Sequence, residues 1–241
     1  MSVSVQKPKF SVIGIHQAPA GVSKCDFDAK VDNFVNSFVT LPAVQKNFLS
    51  YNVIFQNNVL DASLKYLGMP PAQPCVVLKA EFETEDNFMD YSRDPAVGKL
   101  LSDANQFGFM SGSIVSSVDL VTRIDVPAEA ERRLWVGIYR VPGITSAAQF
   151  QDKVGPVIDA FIEHPLSQAR MLKHTMWLPN SSSAPGLQSQ GYPAVDPAVV
   201  IMVEYEICAE AELQAILAKA DNDFDFHVNS ICFGADVVKK I

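Results

Sequence analysis

The sequence repeats itself at a constant offset of 123 residues. Residues 74–83 (PCVVLKAEFE) align with residues 197–206 (PAVVIMVEYE), and five of the ten pairs are identical. The same offset places the tripeptide at 14–16 (GIH) over the tripeptide at 137–139 (GIY). A repeat that keeps one offset over such a long stretch predicts two copies of one fold within the chain.

The offset changes near the end of the chain. Residues 109–114 (FMSGSI) align with residues 226–231 (FHVNSI), an offset of 117, so the second copy is six residues shorter before its last strand. We therefore expect two domains, residues 1–126 and residues 127–241, each of the usual size for a small domain.

Hydrophobic periodicity predicts the elements of the first copy. The pattern indicates strands at 10–17, 52–56, 76–83 and 113–121, and helices at 26–48 and 85–107, which Pro42 and Pro95 should interrupt. The order strand-helix-strand-strand-helix-strand is the ferredoxin-like pattern. Right-handed crossovers put both helices on one face of the sheet, so the other face needs a cover. We expect an α+β fold in which tandem ferredoxin-like repeats pack sheet to sheet as a closed α/β barrel within one chain.

Two further features suggest where a ligand would bind. The third strand alternates, so that Val76 and Leu78 should face the helices while Lys79 and Glu81 point between the sheets. Long loops at 57–74 and 180–197 separate the second and third strands of the two copies, and loops of this length often shape binding sites. We expect their apolar parts, residues 67–71 and 191–193, to cover a pocket.

Composition and charge exclude several classes of protein. The net charge of -8 and the scattered basic residues argue against nucleic acid as a partner. No apolar run reaches the ~18–20 residues of a membrane span, and the polar first ten residues do not resemble a signal peptide. The four cysteines show no CxxC spacing, which favours a reducing, cytoplasmic environment. Fusion of the two copies favours a monomer or a weak homodimer.

Cofactor and metal motifs are also missing from the sequence. The four histidines have no metal-ligand spacing, and no glycine-rich nucleotide motif occurs. We therefore expect no metal and no cofactor, and a small apolar organic ligand as the partner.

The segment at 90–98 (DYSRDPAVG) gives the most specific resemblance. It is similar to the Asp-Tyr-x-x-His-Pro-x-His segment of the dimeric α/β-barrel superfamily, with Tyr91 and Pro95 matching. The superfamily includes stress-responsive A/B-barrel, EthD-like and polyketide-cyclase-like proteins, and the resemblance covers nearly the whole chain. In cyclase-type relatives the second histidine is the catalytic base. Here Asp94 and Val97 stand in place of the two histidines, so a base must come from elsewhere.

Eight residues are candidates for the site, because imidazole, phenol and carboxylate groups can all transfer protons. The candidate catalytic residues are His16, Tyr51, Tyr91 and Asp94, and the candidate substrate-binding residues are Tyr139, His174, Glu81 and Glu204. The repeat aligns His16 with Tyr139 and Tyr51 with His174. Each candidate also has a structural alternative. The aromatic residues could simply pack, Asp94 could cap a helix, and the glutamates, with raised pKa values if buried, could instead pair with Lys79 and Arg140.

These observations favour a cofactor-independent acid/base enzyme of the cyclase, lyase or isomerase type. It would act in the first copy on a small apolar carbonyl or phenolic compound of the kind found in secondary metabolism. An enzyme that uses His16 as a base should lose activity near the ordinary imidazole pKa of about 6.5. Two alternatives stay open: a non-enzymatic stress-responsive or ligand-binding barrel, and a cofactor-free monooxygenase.

Overall fold

The computed structural model describes residues 9–66, 69–127, 132–140, 146–180, 184–192, 198–206 and 230–241. Within these ranges the strands are β1 (Phe10–Gln17), β2 (Phe48–Asn57), β3 (Cys75–Phe82), β4 (Ile114–Asp125), β5 (Arg132–Tyr139), β6 (Met171–Asn180), β7 (Val199–Glu206) and β8 (Ser230–Lys239). The helices are α1 (Lys24–Phe38), α2 (Pro42–Asn47), α3 (Asp61–Tyr66), α4 (Glu85–Ser92), α5 (Pro95–Asn105), α6 (Ala147–Glu163), α7 (Pro165–Arg170) and α8 (Ala184–Ser189).

The strands form one closed antiparallel barrel in the order β1-β3-β2-β8-β5-β7-β6-β4. The first half of the chain (residues 9–126) contributes the order β4-β1-β3-β2, and the second half (residues 132–241) contributes β8-β5-β7-β6. The halves join where β2 pairs with β8 and β4 pairs with β6. The expected α+β class and the closed barrel are therefore confirmed.

The pairing registers of the two halves follow the offsets of the sequence repeat. His16 of β1 lies opposite Val76 of β3, and Tyr139 of β5 lies opposite Val199 of β7, an offset of 123 at both positions. In the last strands Ile15 lies opposite Ile114 and Ile138 lies opposite Ile231, which reproduces the shift to 117. The six-residue difference falls between β7 and β8, in residues 207–229, which lie outside the described part of the chain.

The barrel interior is filled by apolar side chains from both halves. Ile13 and Val77 of the first half pack there against Val136, Val200 and Phe233 of the second half, and all five are almost completely buried. The opposite face of β3, which includes Val76 and Leu78, packs against α1, α4 and α5. This agrees with the alternation in the sequence. A ligand in the first half therefore has its space outside the barrel wall, between sheet and helices.

Prolines divide both predicted helices of the first half. The predicted helix at 26–48 becomes α1, which Ser23 caps by accepting from the Asp26 amide, and α2, which begins at Pro42. The predicted helix at 85–107 becomes α4 and α5, and α5 begins at Pro95. Proline lacks the amide that continues a helix but is accepted at the first helical position.

Each long loop covers the opposite half of the molecule. Leu60 and Leu64, at α3 between β2 and β3, pack in the core of the second half with Phe150. Leu187 of α8, between β6 and β7, packs with Tyr192 in the core of the first half. The loops therefore act as covers, as expected, but each covers the other half; Leu67, Gly68 and Pro193 lie outside the described residues.

Candidate functional site

A cavity of about 60 Å³ lies between the outer face of the first-half sheet and its helices. It is larger than a single water requires and smaller than the ~300–1,000 Å³ of typical ligand pockets. A fused-ring ligand therefore needs the covering side chains to move outward. The described lining residues include no charged side chain: Val12, Gly14, His16, Phe34, Phe38, Phe48, Tyr51, Leu78, Ala80, Phe82, Phe88, Tyr91, Leu101, Phe109, Val115, Leu187, Gln190 and Tyr192.

His16 stands at the end of β1 and is 1% exposed. Its ring stacks on Phe109, with 4.0 Å between the ring centroids. Its Nδ1 lies 3.2 Å from the Phe109 carbonyl oxygen and 2.8 Å from the Ser113 hydroxyl oxygen. Ser113 itself donates to the same carbonyl at 2.7 Å. Because a carbonyl oxygen only accepts, the proton of the neutral ring lies on Nδ1, and Nε2 is left as an acceptor.

The Nε2 atom of His16 lies over Gly14 at the wall of the cavity. A Cβ atom on Gly14 would be 2.6 Å from Nε2, and Gly14 itself lines the cavity. Burial lowers the pKa of His16 to about 4, although the hydrogen bond to the Phe109 carbonyl opposes this shift. At neutral pH the side chain is therefore an uncharged imidazole that presents a lone pair to an apolar space, which is the form a general base requires.

Three tyrosines surround the rest of the cavity. Burial raises the pKa of Tyr51, Tyr91 and Tyr192 well above the ordinary value, so all three phenols stay neutral. The proximity of Tyr91 and Tyr192 adds to the shift of Tyr51. The ring of Tyr192, which comes from the second half, lies 6.3 Å from the His16 ring. Neutral phenols can donate hydrogen bonds to a ligand oxygen without adding charge to the site.

Gln190 is the remaining polar residue of the lining. Its amide lies close enough to Tyr91 to oppose the rise in that residue's pKa. Its buried Nε2 nevertheless meets no acceptor in hydrogen-bonding geometry. Gln190, Phe109 and Ser113 were not among the site residues predicted from the sequence. Phe109 and Ser113 carried a signal, since the repeat keeps a phenylalanine at position 226 and a serine at position 230, but Gln190 carried none.

Asp94 lies outside the described lining of the cavity. Its carboxylate accepts from the backbone amides of Ala96 at 2.9 Å and Val97 at 3.2 Å, and so caps α5. The structural alternative accounts for this residue, because an aspartate before a proline at the first helical position is a standard helix cap.

The two glutamates also lie away from the cavity. Burial would raise the pKa of Glu81, but the hydrogen bond and charge of Lys79 at 2.7 Å, with Lys9 and Ser50, lower it to about 2. This is opposite to the raised value expected for a buried carboxylate, because the group is only partly buried and directly paired. Glu204 pairs with Arg132 at 2.8 Å. Both glutamates form ion pairs at the barrel.

The second half holds the same two functional groups in exchanged positions. Tyr139 replaces His16, and a Cβ on Gly137 would lie 2.6 Å from its hydroxyl oxygen. His174 replaces Tyr51 and is 1% exposed. Burial, together with the charge of Arg123, lowers the pKa of His174 to about 4. These two residues therefore belong to the core of the second half and do not line the first-half cavity.

The described residues contain no group of three or more histidine, cysteine, aspartate or glutamate side chains placed to hold a metal ion. None of the helices in the described ranges is long and apolar enough to cross a membrane.

Comparison with known proteins gives a likeness of fold. No protein-family model matches the chain, and no curated protein matches it significantly. The structure of an anthrone oxidase-like protein aligns over 98% of this chain and 94% of its own, with a TM-score of 0.55 and 7% identity. A protein from Fusobacterium nucleatum, named provisionally as a monooxygenase, aligns over 95% of this chain and 92% of its own, with a TM-score of 0.47 and 6% identity.

A second provisionally named monooxygenase, from Lactobacillus acidophilus, aligns over 95% of this chain and 94% of its own, with a TM-score of 0.46 and 8% identity. With TM-scores below 0.5, neither monooxygenase likeness supports a conclusion. The likeness to the anthrone oxidase-like protein shows a shared fold over nearly the whole length of both chains, and function has to be argued from the site.

Proposed function

We propose that the chain is a cofactor-independent acid/base enzyme of the dimeric α/β-barrel superfamily, built from tandem ferredoxin-like repeats at 1–126 and 127–241. Its substrate is a small aromatic or apolar compound with a carbonyl or phenolic group, bound in the first-half cavity. The observation that carries the proposal is the neutral His16, whose Nε2 lies over Gly14 in a cavity whose described lining residues carry no charge.

The first chemical step is removal of a proton from the bound substrate. Nε2 of His16 takes a proton from an acidic C–H or O–H group, and the electron pair stays on the substrate as an enolate or phenolate. The Phe109 carbonyl and the Ser113 hydroxyl accept from Nδ1 and so stabilise the imidazolium. An anion formed next to the ring raises the pKa of His16, because opposite charges favour each other.

The proton on His16 is then passed on, and the atom that receives it distinguishes the reactions. In an isomerisation a different atom of the substrate takes the proton. In a cyclisation the carbanion attacks a second carbonyl, whose oxygen takes the proton, and in an elimination the carbon–leaving-group bond breaks and the leaving group takes the proton. The phenols of Tyr51 and Tyr91 are hydrogen-bond donors for the anion in each case. General acid–base help of this kind accelerates reactions by roughly 10²–10⁴-fold.

Hydrogen–deuterium exchange tests the first step without knowledge of the natural substrate. α-Tetralone and anthrone, aromatic ketones with acidic C–H groups, are incubated anaerobically in D₂O with the protein, and NMR follows the loss of the C–H signal. The wild-type protein should accelerate exchange, and His16→Gln should abolish the acceleration. Asp94→Asn is the control, because its amide oxygen can still cap α5. Equal exchange with wild type and His16→Gln would refute the proposal.

Cofactor-free oxygenation is the second candidate. It begins with the same proton removal, after which the carbanion reacts with O₂. The aromatic cavity favours this reaction, because a space lined, among the described residues, only by uncharged side chains keeps water from the anion. Oxygen consumption during the anthrone reaction, above the rate without protein, would identify this activity. Binding of both ketones without exchange or oxygen consumption would instead identify a ligand-binding barrel.

A further inference from the structure

Gln190 belongs to the second half of the chain but lies in the cavity of the first half. It follows α8, and its backbone amide donates to the carbonyl of Leu187 at 3.1 Å, which fixes the turn after the helix. Leu187 and Tyr192, on either side of it, are packed in the first-half core. The side chain of Gln190 therefore reaches the cavity from a segment anchored at both ends.

The side-chain amide of Gln190 has a buried N–H donor without a hydrogen-bond acceptor in the described part of the chain. Its Nε2 is inaccessible to solvent and has no acceptor among the described residues, although the amide lies beside Tyr91. A buried donor without a partner costs about 1–3 kcal/mol, so such groups are usually satisfied by a ligand or an ordered water. No acceptor of the described lining, the Nε2 atom of His16 included, lies in hydrogen-bonding geometry with it.

We propose that Gln190 is a positioning residue that donates a hydrogen bond to the carbonyl oxygen of the ligand. This inference rests on the proposed function. The hydroxyl of Tyr91 is the second donor next to it, so one oxygen of the ligand accepts from two neutral groups. When His16 removes the proton, negative charge moves onto that oxygen, and two donors already in place stabilise it.

This arrangement defines the class of ligand. The ligand is uncharged and largely aromatic, carries a carbonyl oxygen for Gln190 and Tyr91, and presents its acidic hydrogen to His16. Carboxylates and phosphates do not fit, because the described lining has no cation to pair with them. The arrangement also gives the second half a role in the chemistry of the first half, since its loop supplies the group that recognises the carbonyl.

A matched pair of ligands tests this role by binding alone. α-Tetralone and tetralin have nearly the same shape, but only α-tetralone has a carbonyl. Wild-type protein should bind the ketone about five- to tenfold more tightly, the effect of one or two neutral hydrogen bonds. In Gln190→Met, which keeps the length of the side chain without its donor, this preference should fall to about two- to threefold, because only the Tyr91 hydroxyl still donates to the carbonyl. Isothermal titration calorimetry gives both dissociation constants.

Gln188→Met is the matched control, since Gln188 lies two residues before Gln190, within α8, and is exposed. It should keep the preference for the ketone, and unfolding midpoints of all variants show whether they are folded. If Gln190→Met keeps the full preference, or if wild-type protein shows none, Gln190 does not hold the carbonyl. Hydrogen–deuterium exchange of the ketones with His16→Gln then tests the proposed function separately, because it measures proton removal and not ligand orientation.

Discussion

His16 lies so close over Gly14 that a Cβ at position 14 would meet its Nε2 at 2.6 Å. The same relationship holds at the equivalent position of the second half, where a Cβ on Gly137 would meet the Tyr139 hydroxyl at 2.6 Å. Neighbours two residues apart in a strand point to the same face of the sheet. The glycine therefore leaves the space into which the following aromatic side chain folds back along the sheet.

Gly14→Ala should displace the His16 ring from its place over β1. We expect the proton-exchange activity to fall about 100-fold, near the lower end of what a positioned general base contributes. The free energy of unfolding should fall by about 1–3 kcal/mol, as for other overpacked buried sites. NMR exchange rates and urea unfolding measure the two effects.

Gly98→Ala is the control for this substitution. Gly98 lies within α5 and a Cβ there would meet no atom within 4 Å. Alanine should raise the free energy of unfolding by about 0.5–1 kcal/mol, because it has the higher helix propensity. Activity should not change. Full activity in Gly14→Ala would show that the imidazole position does not matter for exchange.

The stability of the protein should depend on pH through its two buried histidines. Burial lowers the pKa of both His16 and His174 from 6.5 to about 4 in the folded state. Between these values the unfolded chain binds protons that the folded chain does not. Stability should therefore be complete above about pH 6.5, decrease as the pH falls to about 4, and level off below.

Each histidine can contribute on the order of 3 kcal/mol to this loss. Urea unfolding of wild type and His16→Gln at several pH values measures the contribution of His16. The variant should show the shallower slope between pH 6.5 and 4. Equal slopes would mean that His16 is protonated as easily in the folded chain as in the unfolded one.

The activity should persist below the ordinary pKa of histidine. The sequence alone suggested a loss of activity near pH 6.5, but burial lowers the pKa of His16 to about 4. The value of kcat/KM reports the ionisation of the free enzyme, so it should stay constant through pH 6 and decline only towards pH 4. A profile with its midpoint near 6.5 would contradict the buried, neutral imidazole.

Substitution of Asp94 separates capping from catalysis. Asp94→Ala removes the acceptor for two backbone amides of α5 and should lower the free energy of unfolding by about 1 kcal/mol. Asp94→Asn keeps an acceptor oxygen and should retain most of the stability. Neither change should lower the exchange activity. A large loss of activity in a stable Asp94→Asn variant would show that Asp94 takes part in catalysis.

The contact between α8 and α4 should control access to the cavity. A Cβ on Gly186 of α8 would meet a ring carbon of Phe88 at 2.6 Å and the sulfur of Met89 at 3.0 Å. Gly186→Ala should therefore loosen α8 and speed amide hydrogen exchange in residues 184–192, with β1 and β3 unchanged. Gly155→Ala is the control, because its nearest neighbour, the Gln151 side-chain oxygen, would lie 3.7 Å away. Unchanged exchange in Gly186→Ala would show that the cover does not depend on this close packing.

The sequence predicted the barrel because its signals are local or repetitive. Alternation in β3 identified the two faces of the sheet, and the offsets of 123 and 117 reappear in the strand registers. The helix breaks at Pro42 and Pro95 were predictable because proline acts within one helical turn. His16, Tyr51 and Tyr91 were selected from their chemistry, and all three line the first-half cavity.

The features of the candidate site that the sequence could not predict depend on contacts between distant parts of the chain. Ser113 and Phe109 set the tautomer of His16 although they lie more than ninety residues after it in the chain. Hydrophobic periodicity cannot predict a contact between residues so far apart. Glu81 was selected as a possible buried carboxylate. Its partner Lys79 is a neighbour in β3, but Lys9 and Ser50 reach it only because β1 and β2 pair with β3.

By itself, the sequence determined that each half carries a histidine and a tyrosine at positions aligned by the repeat, and its two offsets predicted the strand registers. Only the tertiary structure decided that the loop of each half covers the other, which brings Gln190 and Tyr192 into the first-half cavity. The physical reason is that strand and helix patterns follow from neighbouring residues. The choice of which core a loop covers depends on the apolar surface left exposed after the barrel has closed.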